Sequence, residues 1–398
     1  MSLAGEKLAQ AAALVDSSSF DAWLIFVRET SETADPLLQL LTEASFTWQT
    51  ALILGKKGKR IAVAGTYDMP ALEASGDWPT RIPYDLDIRE PLLKALDAVC
   101  GPKPRIAVNF SVSDPKADGL TAGMLLLVKR YLKGTRFSGA LASAEPLAIA
   151  LRSGKTPAEI EAMRQAIAVT DKLFASIAAF ARIGRSEKQI QDHVQSRIDR
   201  LGLGYAWHRS QDPIVNSGPN SAVGHGVASD RISLQPGHVF HVDLGIIQAG
   251  YASDIQRCWY VAAPGETAIP EDVAHAFAAV RGAILAGAAK LKPGAQGWKV
   301  DQAARSFLVG QGYPEYMHAF GHQVGRVAHD GGAILGPRWA RYGKTPTMRI
   351  EKDQVFTLEL GVSIPNRGYL GLEEMAVVTE SGCEMLSKPQ TKLPILKA

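Results

Sequence analysis

HVFHVDLGIIQAGYASDIQRCWYV, residues 238–261, reads as two strands joined through a turn near Gln248, Ala249 and Gly250. It is a hairpin with an aspartate on each arm. If Ile247 pairs with Gly250 across a two-residue loop, the register sets Asp243 opposite Asp254. Cross-strand neighbours have Cβ atoms about 4.5–5.5 Å apart, and like charges there destabilise a hairpin unless something neutralises them. A cation resolves the conflict. A bulge at Gly250 is the alternative, and it shifts the register.

The segment 356–378, FTLELGVSIPNRGYLGLEEMAVV, repeats the arrangement around Pro365, Asn366, Arg367 and Gly368. A turn centred on Asn366 places Glu359 opposite Glu373. Two hairpins then deliver four carboxylates to one buried point, a donor set suited to hard divalent ions. A fifth ligand comes from HAFGHQVG (318–325), where glycines flank a histidine and let the backbone approach closely. His322 is that ligand, and its imidazole favours Mn, Fe, Co or Zn over an all-oxygen calcium or magnesium cage. Four carboxylates and one imidazole exceed the needs of one structural zinc, which points to two ions sharing a bridging hydroxide. Singly, each residue reads more simply, as an edge aspartate, a solvated glutamate or a loop histidine; the joint pattern carries the argument. Cys258 and Trp259, next to the second aspartate, read as core packing.

Around these segments the chain reads as two domains, 1–153 and 154–398, since 398 residues exceed one ordinary core. In the first, helical patterns alternate with AWLIFV (22–27), TALILG (50–55) and RIAVAG (60–65), a small α/β domain. The stretch IALRSGKTP (149–157) is a linker ending in a Thr-Pro helix start. Helical spacing follows over 157–182 and 187–201, and again near 270–291 and 297–310. Strands and helices in runs, without strict alternation, suggest an antiparallel α+β domain. Two similar halves, each of helices followed by a hairpin, fit the second domain.

Composition bounds the function classes. Hydrophobic residues make up 46 % and charged residues 21 %, as in an ordinary globular protein. The 43 basic and 40 acidic residues leave a net charge of +3 without a basic block, so nucleic acid is not an expected partner. Three well-separated cysteines fit a reducing compartment. The first 20 residues read as an amphipathic helix rather than a signal peptide, and no apolar run is long enough to span a bilayer. A cytoplasmic protein without a membrane partner is the expectation.

VDLGIIQAGYASDIQR, GHQVG, FTLELG and LEEMAVVTE, in this order and spacing, resemble the motifs of the creatinase, prolidase and methionine aminopeptidase superfamily. From about 152 to 385 the likeness is to its prolidase and aminopeptidase P branch, and LRSGKTPAEIEAMRQA is similar to the start of that branch's catalytic domain. The resemblance implies a pita-bread catalytic domain, an antiparallel sheet with flanking helices, behind a smaller α/β domain. It implies that Asp243, Asp254, His322, Glu359 and Glu373 bind two divalent metals, most commonly Mn, with Co or Zn possible. It implies further that His225 and His329 contact substrate and stabilise the tetrahedral intermediate, with Glu359 moving the proton. The expected activity is hydrolysis of Xaa-Pro bonds by a homodimer acting on small peptides with proline second. Prolidase action on dipeptides is favoured over aminopeptidase action on longer chains. A metal-free creatinase-type hydrolase and a non-catalytic peptide-binding protein are the rivals from other classes. The chain departs from the family at Gln323, Leu360, Ser363 and Gly371, where relatives carry Gly, Pro, Tyr and Arg; the last two changes remove groups that orient ligands.

Overall fold

The computed structural model describes residues 3–224 and 226–396, folded as two compact units, Met1–Arg152 and Ser153–Ala398. In the first, a six-stranded sheet runs β4-β3-β2-β1-β5-β6, with β1 at Ala22–Val27, β2 at Thr50–Gly55, β3 at Arg60–Gly65, β4 at Thr80–Tyr84, β5 at Ile106–Val108 and β6 at Leu141–Ser143. Its central strands are apolar on both faces because both faces are covered. Trp23, Ile25 and Val27 of β1 pack with Leu8, Ala11 and Val15 of the first helix, while Leu24 and Phe26 pack with Leu92, Leu96 and Val128 on the other side.

The second unit opens at Thr156, whose side chain and that of Glu159 form a reciprocal cap on helix Pro157–Phe180. Helix Glu187–Arg200 follows, then β7 (Gly204–Tyr205), β8 (Ile214–Ser217), β9 (Val239–Leu244), β10 (Ile246–Gln248), β11 (Tyr251–Ala252) and β12 (Ile255–Val261). Helices Glu271–Ala288 and Gly297–Gly310 lead to the long hairpin of β13 (Val355–Ile364) and β14 (Gly368–Val378), and β15 (Cys383–Met385) pairs with β14. Two helices followed by a hairpin thus occur twice. The main sheet runs antiparallel in the order β13-β14-β12-β9-β8. No described helix is long and apolar enough to cross a membrane.

Strand alternation divides the long hairpin between core and site. Leu358, Leu360, Leu370 and Leu372 point into a core shared with Val273, Val280, Ala304 and Leu308 of the two helices, and each is at most 1 % exposed. At about 1.5–3 kcal/mol per buried leucine, this apolar face holds the hairpin together. The other face is free to carry groups that repel one another.

Glu359 pairs directly with Glu373, as the Asn366 turn requires; Asn366 sits at φ 61°, a conformation asparagine tolerates. The first hairpin corrects the expected register. Ala249 and Gly250 both take positive φ, 49° and 76°, and make the two-residue loop themselves, so Gln248 pairs with Tyr251 and Ile247 with Ala252. Asp243 therefore faces Gln256, not Asp254. Asp254 lies in the break between β11 and β12, where its backbone N–H donates to Met375 Sδ at 3.3 Å.

Candidate metal centre

The corrected register builds a row across four strands: Asp243 on β9 faces Gln256 on β12, Gln256 faces Glu373 on β14, and Glu373 faces Glu359 on β13. Residues directly opposite one another share a face of the sheet. The neighbouring Glu374 points the other way, where Arg257 donates to its two oxygens at 3.1 and 3.0 Å. That bidentate pair explains the adjacent acid and the arginine of the SDIQR stretch as structural.

His322 reaches the row because its segment runs alongside β13. Glu359 N–H donates to Phe320 O at 2.8 Å, Thr357 N–H to His322 O at 2.9 Å, and Val324 N–H to Val355 O at 3.1 Å. Gly321 permits this approach, since a Cβ there would stand 2.0 Å from Thr357 O. His322 Nε2 consequently lies 3.4 Å from Glu359 Oε1 and 3.7 Å from Asp254 Oδ2.

Asp254, His322 and Glu373 each present a ligand atom within 4.8 Å of the others. Asp243 Oδ1 and Glu373 Oε2 are buried without a hydrogen-bond partner. Buried carboxylate oxygens are costly to leave in that state, so their presence beside an imidazole fits a divalent cation better than it fits a packed core. The electrostatics agree. Burial first, then the charges of Asp254 and Glu359, push Asp243 well above the ordinary aspartate range. Glu373 is raised in the same way by burial and by Asp254, Glu359 and Asp243. Asp254 is pushed up to about 7 by burial, with His322 opposing and Glu359 adding to the rise. Burial pulls the His322 imidazole down, but its bond to Glu359 and the charges of Glu359 and Asp254 outweigh burial and hold it at about 9. Burial is the larger cause for the acids; the contributions of Asp254, Glu359 and Asp243 report the negative potential that a cation would meet.

The structure brings together Asp254, His322, Glu359 and Glu373, and sets Asp243 in the same strand-to-strand row. His329 joins them, its ring 4.3 Å from that of His322 and edge-on to it. His225 lies outside the described residues. The sequence reading missed two buried polar residues of the site. His241 and Gln256 approach within 3.0 Å, and Gln256 Nε2 donates to Glu359 Oε2 at 3.2 Å. A glutamine and a histidine within strands give no signal of this kind by themselves; only the register reveals it. Ser363 faces Tyr369 across the hairpin, and the Tyr369 ring lies edge-on to His241 with centroids 5.1 Å apart.

Comparison with known proteins gives the family and the fold. A sequence profile described as metallopeptidase family M24 matches residues 161–380, more than half of the chain. A Xaa-Pro dipeptidase from Pyrococcus furiosus is 32% identical over 246 residues, which cover 61% of this chain and 65% of that protein. The chain thus spans just under two thirds of that relative's length. Dipeptidase PepE from Mycobacterium ulcerans shares the fold over 100% of this chain and 98% of its own, at TM-score 0.75 and 26% identity. X-Pro aminopeptidase from Thermotoga maritima does so over 98% and 99%, at TM-score 0.72 and 22% identity, a likeness of fold alone. The architecture is the pita-bread fold, preceded in the chain by a smaller α/β domain.

Proposed function

This chain belongs to metallopeptidase family M24, and from that premise we propose that it hydrolyses Xaa-Pro bonds, with Xaa-Pro dipeptides as its preferred substrates. The observation that carries the reading is the set of mutually repelling carboxylates around His322, of which Asp254 and Glu373 are buried, with Asp243 Oδ1 and Glu373 Oε2 left without a hydrogen-bond partner. The Pyrococcus furiosus relative, a Xaa-Pro dipeptidase, supports the substrate class. Residues 154–398 form the catalytic domain and residues 1–153 the N-terminal domain of a cytoplasmic homodimer.

Asp243, Asp254, His322, Glu359 and Glu373 are the ligands of two divalent ions, with manganese the first choice. When bound, such ions lower the pKa of water toward neutrality and polarise a carbonyl. Glu359, at the open edge of the row and 19 % exposed, accepts the proton of the attacking water and returns it to the proline nitrogen. His329 and His225 donate hydrogen bonds to the developing oxyanion. The presence of every carboxylate argues against a metal-free creatinase-type hydrolase, which has no use for four acids on one face of the sheet, two of them buried.

The substrate class is tested with the dipeptide Ala-Pro and the tripeptide Ala-Pro-Ala in added Mn2+. Release of alanine from Ala-Pro, with little action on Ala-Pro-Ala, is the expected result. The reverse preference assigns the chain to aminopeptidase action, and cleavage of neither peptide contradicts the proposal.

A further inference from the structure

Gln256 occupies the one position in the row of acids that carries no charge. Its strand places it opposite both Asp243 and Glu373; its side chain makes a hydrogen bond that favours the ionised Glu373, and Nε2 donates to Glu359 Oε2 at 3.2 Å. A carboxylate accepts and does not donate, so this contact assigns the amide's orientation and turns Oε1 toward His241 Nε2, 3.0 Å away. His241 is buried on β9, two residues before Asp243, and its other nitrogen lies 3.0 Å from Asn216 Oδ1. A neutral imidazole has one N–H, so the Nε2–H that reaches Gln256 leaves Nδ1 without a proton, and Asn216 is a packing neighbour of that nitrogen rather than its acceptor. The Tyr369 ring closes the far side of His241, edge-on at 5.1 Å.

Space for this arrangement comes from Gly371. A Cβ at that position would stand 2.6 Å from Tyr369 Cε1, 2.8 Å from Gln256 Oε1 and 3.1 Å from His241 Nε2. The glycine, the glutamine, the histidine and the tyrosine therefore depend on one another sterically, although they come from three strands.

We propose that Gln256 is a positioning residue, which holds the Glu359 carboxylate through its amide nitrogen while His241 holds Gln256 through its carbonyl. The effect is to fix the Glu359 oxygens before an ion or a peptide arrives. Partners of this kind, one bond removed from a metal, commonly account for 10–100-fold in metal affinity or activity. The inference rests on the reading of Glu359 given above.

The test uses the full chain as wild type, Gln256→Leu, Gln256→Glu, His241→Leu and the Gln256→Leu/His241→Leu double variant. Each is titrated with Mn2+ by calorimetry without substrate, then assayed on Ala-Pro. Gln256→Leu should weaken Mn2+ binding about 10–100-fold and lower kcat with KM little changed. Gln256→Glu keeps the volume but presents an acceptor to Glu359, and should lose at least as much; it decides the matter if the leucine variant does not fold. Because His241 acts through Gln256, the double variant should be no worse than Gln256→Leu alone. Wild-type Mn2+ affinity in Gln256→Glu, or additive losses in the double variant, would overturn the proposal. Wild type that binds Mn2+ but cleaves no Xaa-Pro bond sinks the proposed function while the affinities still test Gln256. Wild type that binds no Mn2+ sinks both.

Discussion

Glu359→Gln is expected to lower kcat for Ala-Pro hydrolysis about 10²–10⁴-fold, the usual range for losing a positioned proton acceptor. The substitution keeps the side chain's size, and the strand alternation that aims it is set by leucines on the opposite face. An amide cannot take a proton from water. It also presents an N–H2 group to Gln256 or His322 where a carboxylate oxygen now stands. Asp254, His322 and Glu373 remain within 4.8 Å of one another, so the variant should still take up metal. Steady-state kinetics and metal content measured on the same sample separate the two effects. Activity within a few-fold of wild type contradicts the role given to Glu359, and loss of metal together with activity reduces that role to ligation.

Removing the metal should make the protein's stability fall as pH rises, and restoring it should reverse the trend. In the metal-free fold, burial and mutual repulsion hold Asp254 at about 7, and Asp243 and Glu373 well above their ordinary values. An acid raised on folding binds a proton that the unfolded chain has already released, so its ionisation between roughly pH 4 and 7 destabilises the fold. His322 adds to the same trend. Burial lowers it, yet Glu359 and Asp254 hold it at about 9, above its ordinary 6.5. The stability its proton contributes is complete below 6.5 and lost as pH passes 9. Calorimetric melting of the chelated protein should therefore give a falling Tm from pH 5 to 8.5. At pH 8.5, Mn2+ at about 1,000 times its Kd contributes about 4 kcal/mol. For a domain of this size that is a rise of roughly 8–16 °C in Tm, with a smaller gain at pH 5. A metal-free Tm that is flat or rises with pH would count against a centre built from uncompensated carboxylates.

The parts legible in the sequence are those set by local chemistry. AWLIFV, TALILG and RIAVAG form strands over the residues expected, because a sheet covered on both faces needs continuous apolar runs. Thr156 and Pro157 mark their helix start through capping. The Asn366 turn sets the Glu359 to Glu373 pairing because asparagine accepts a positive φ. The first hairpin defeated the same reasoning by one residue. Ala249 takes a positive φ that alanine rarely adopts, so nothing local favoured a loop at 249–250 over one at 248–249. That shift separated the two aspartates in register and put Gln256 between Asp243 and Glu373. Asp254 still reaches the site, because the strand breaks before β12 and frees it from the ladder. The contacts of Gly371 with Gln256, His241 and Tyr369 join residues far apart in the chain, and no pattern within one segment encodes them.

One measurement bears most directly on the whole: elemental analysis of the full chain purified after growth in added manganese, without chelator. About two divalent transition ions per chain, retained through gel filtration, is the result expected of five side chains gathered around one point. A protein that emerges folded and metal-free, and that takes up none when Mn2+ is added back, would show that these acids and His322 meet for some purpose other than holding cations.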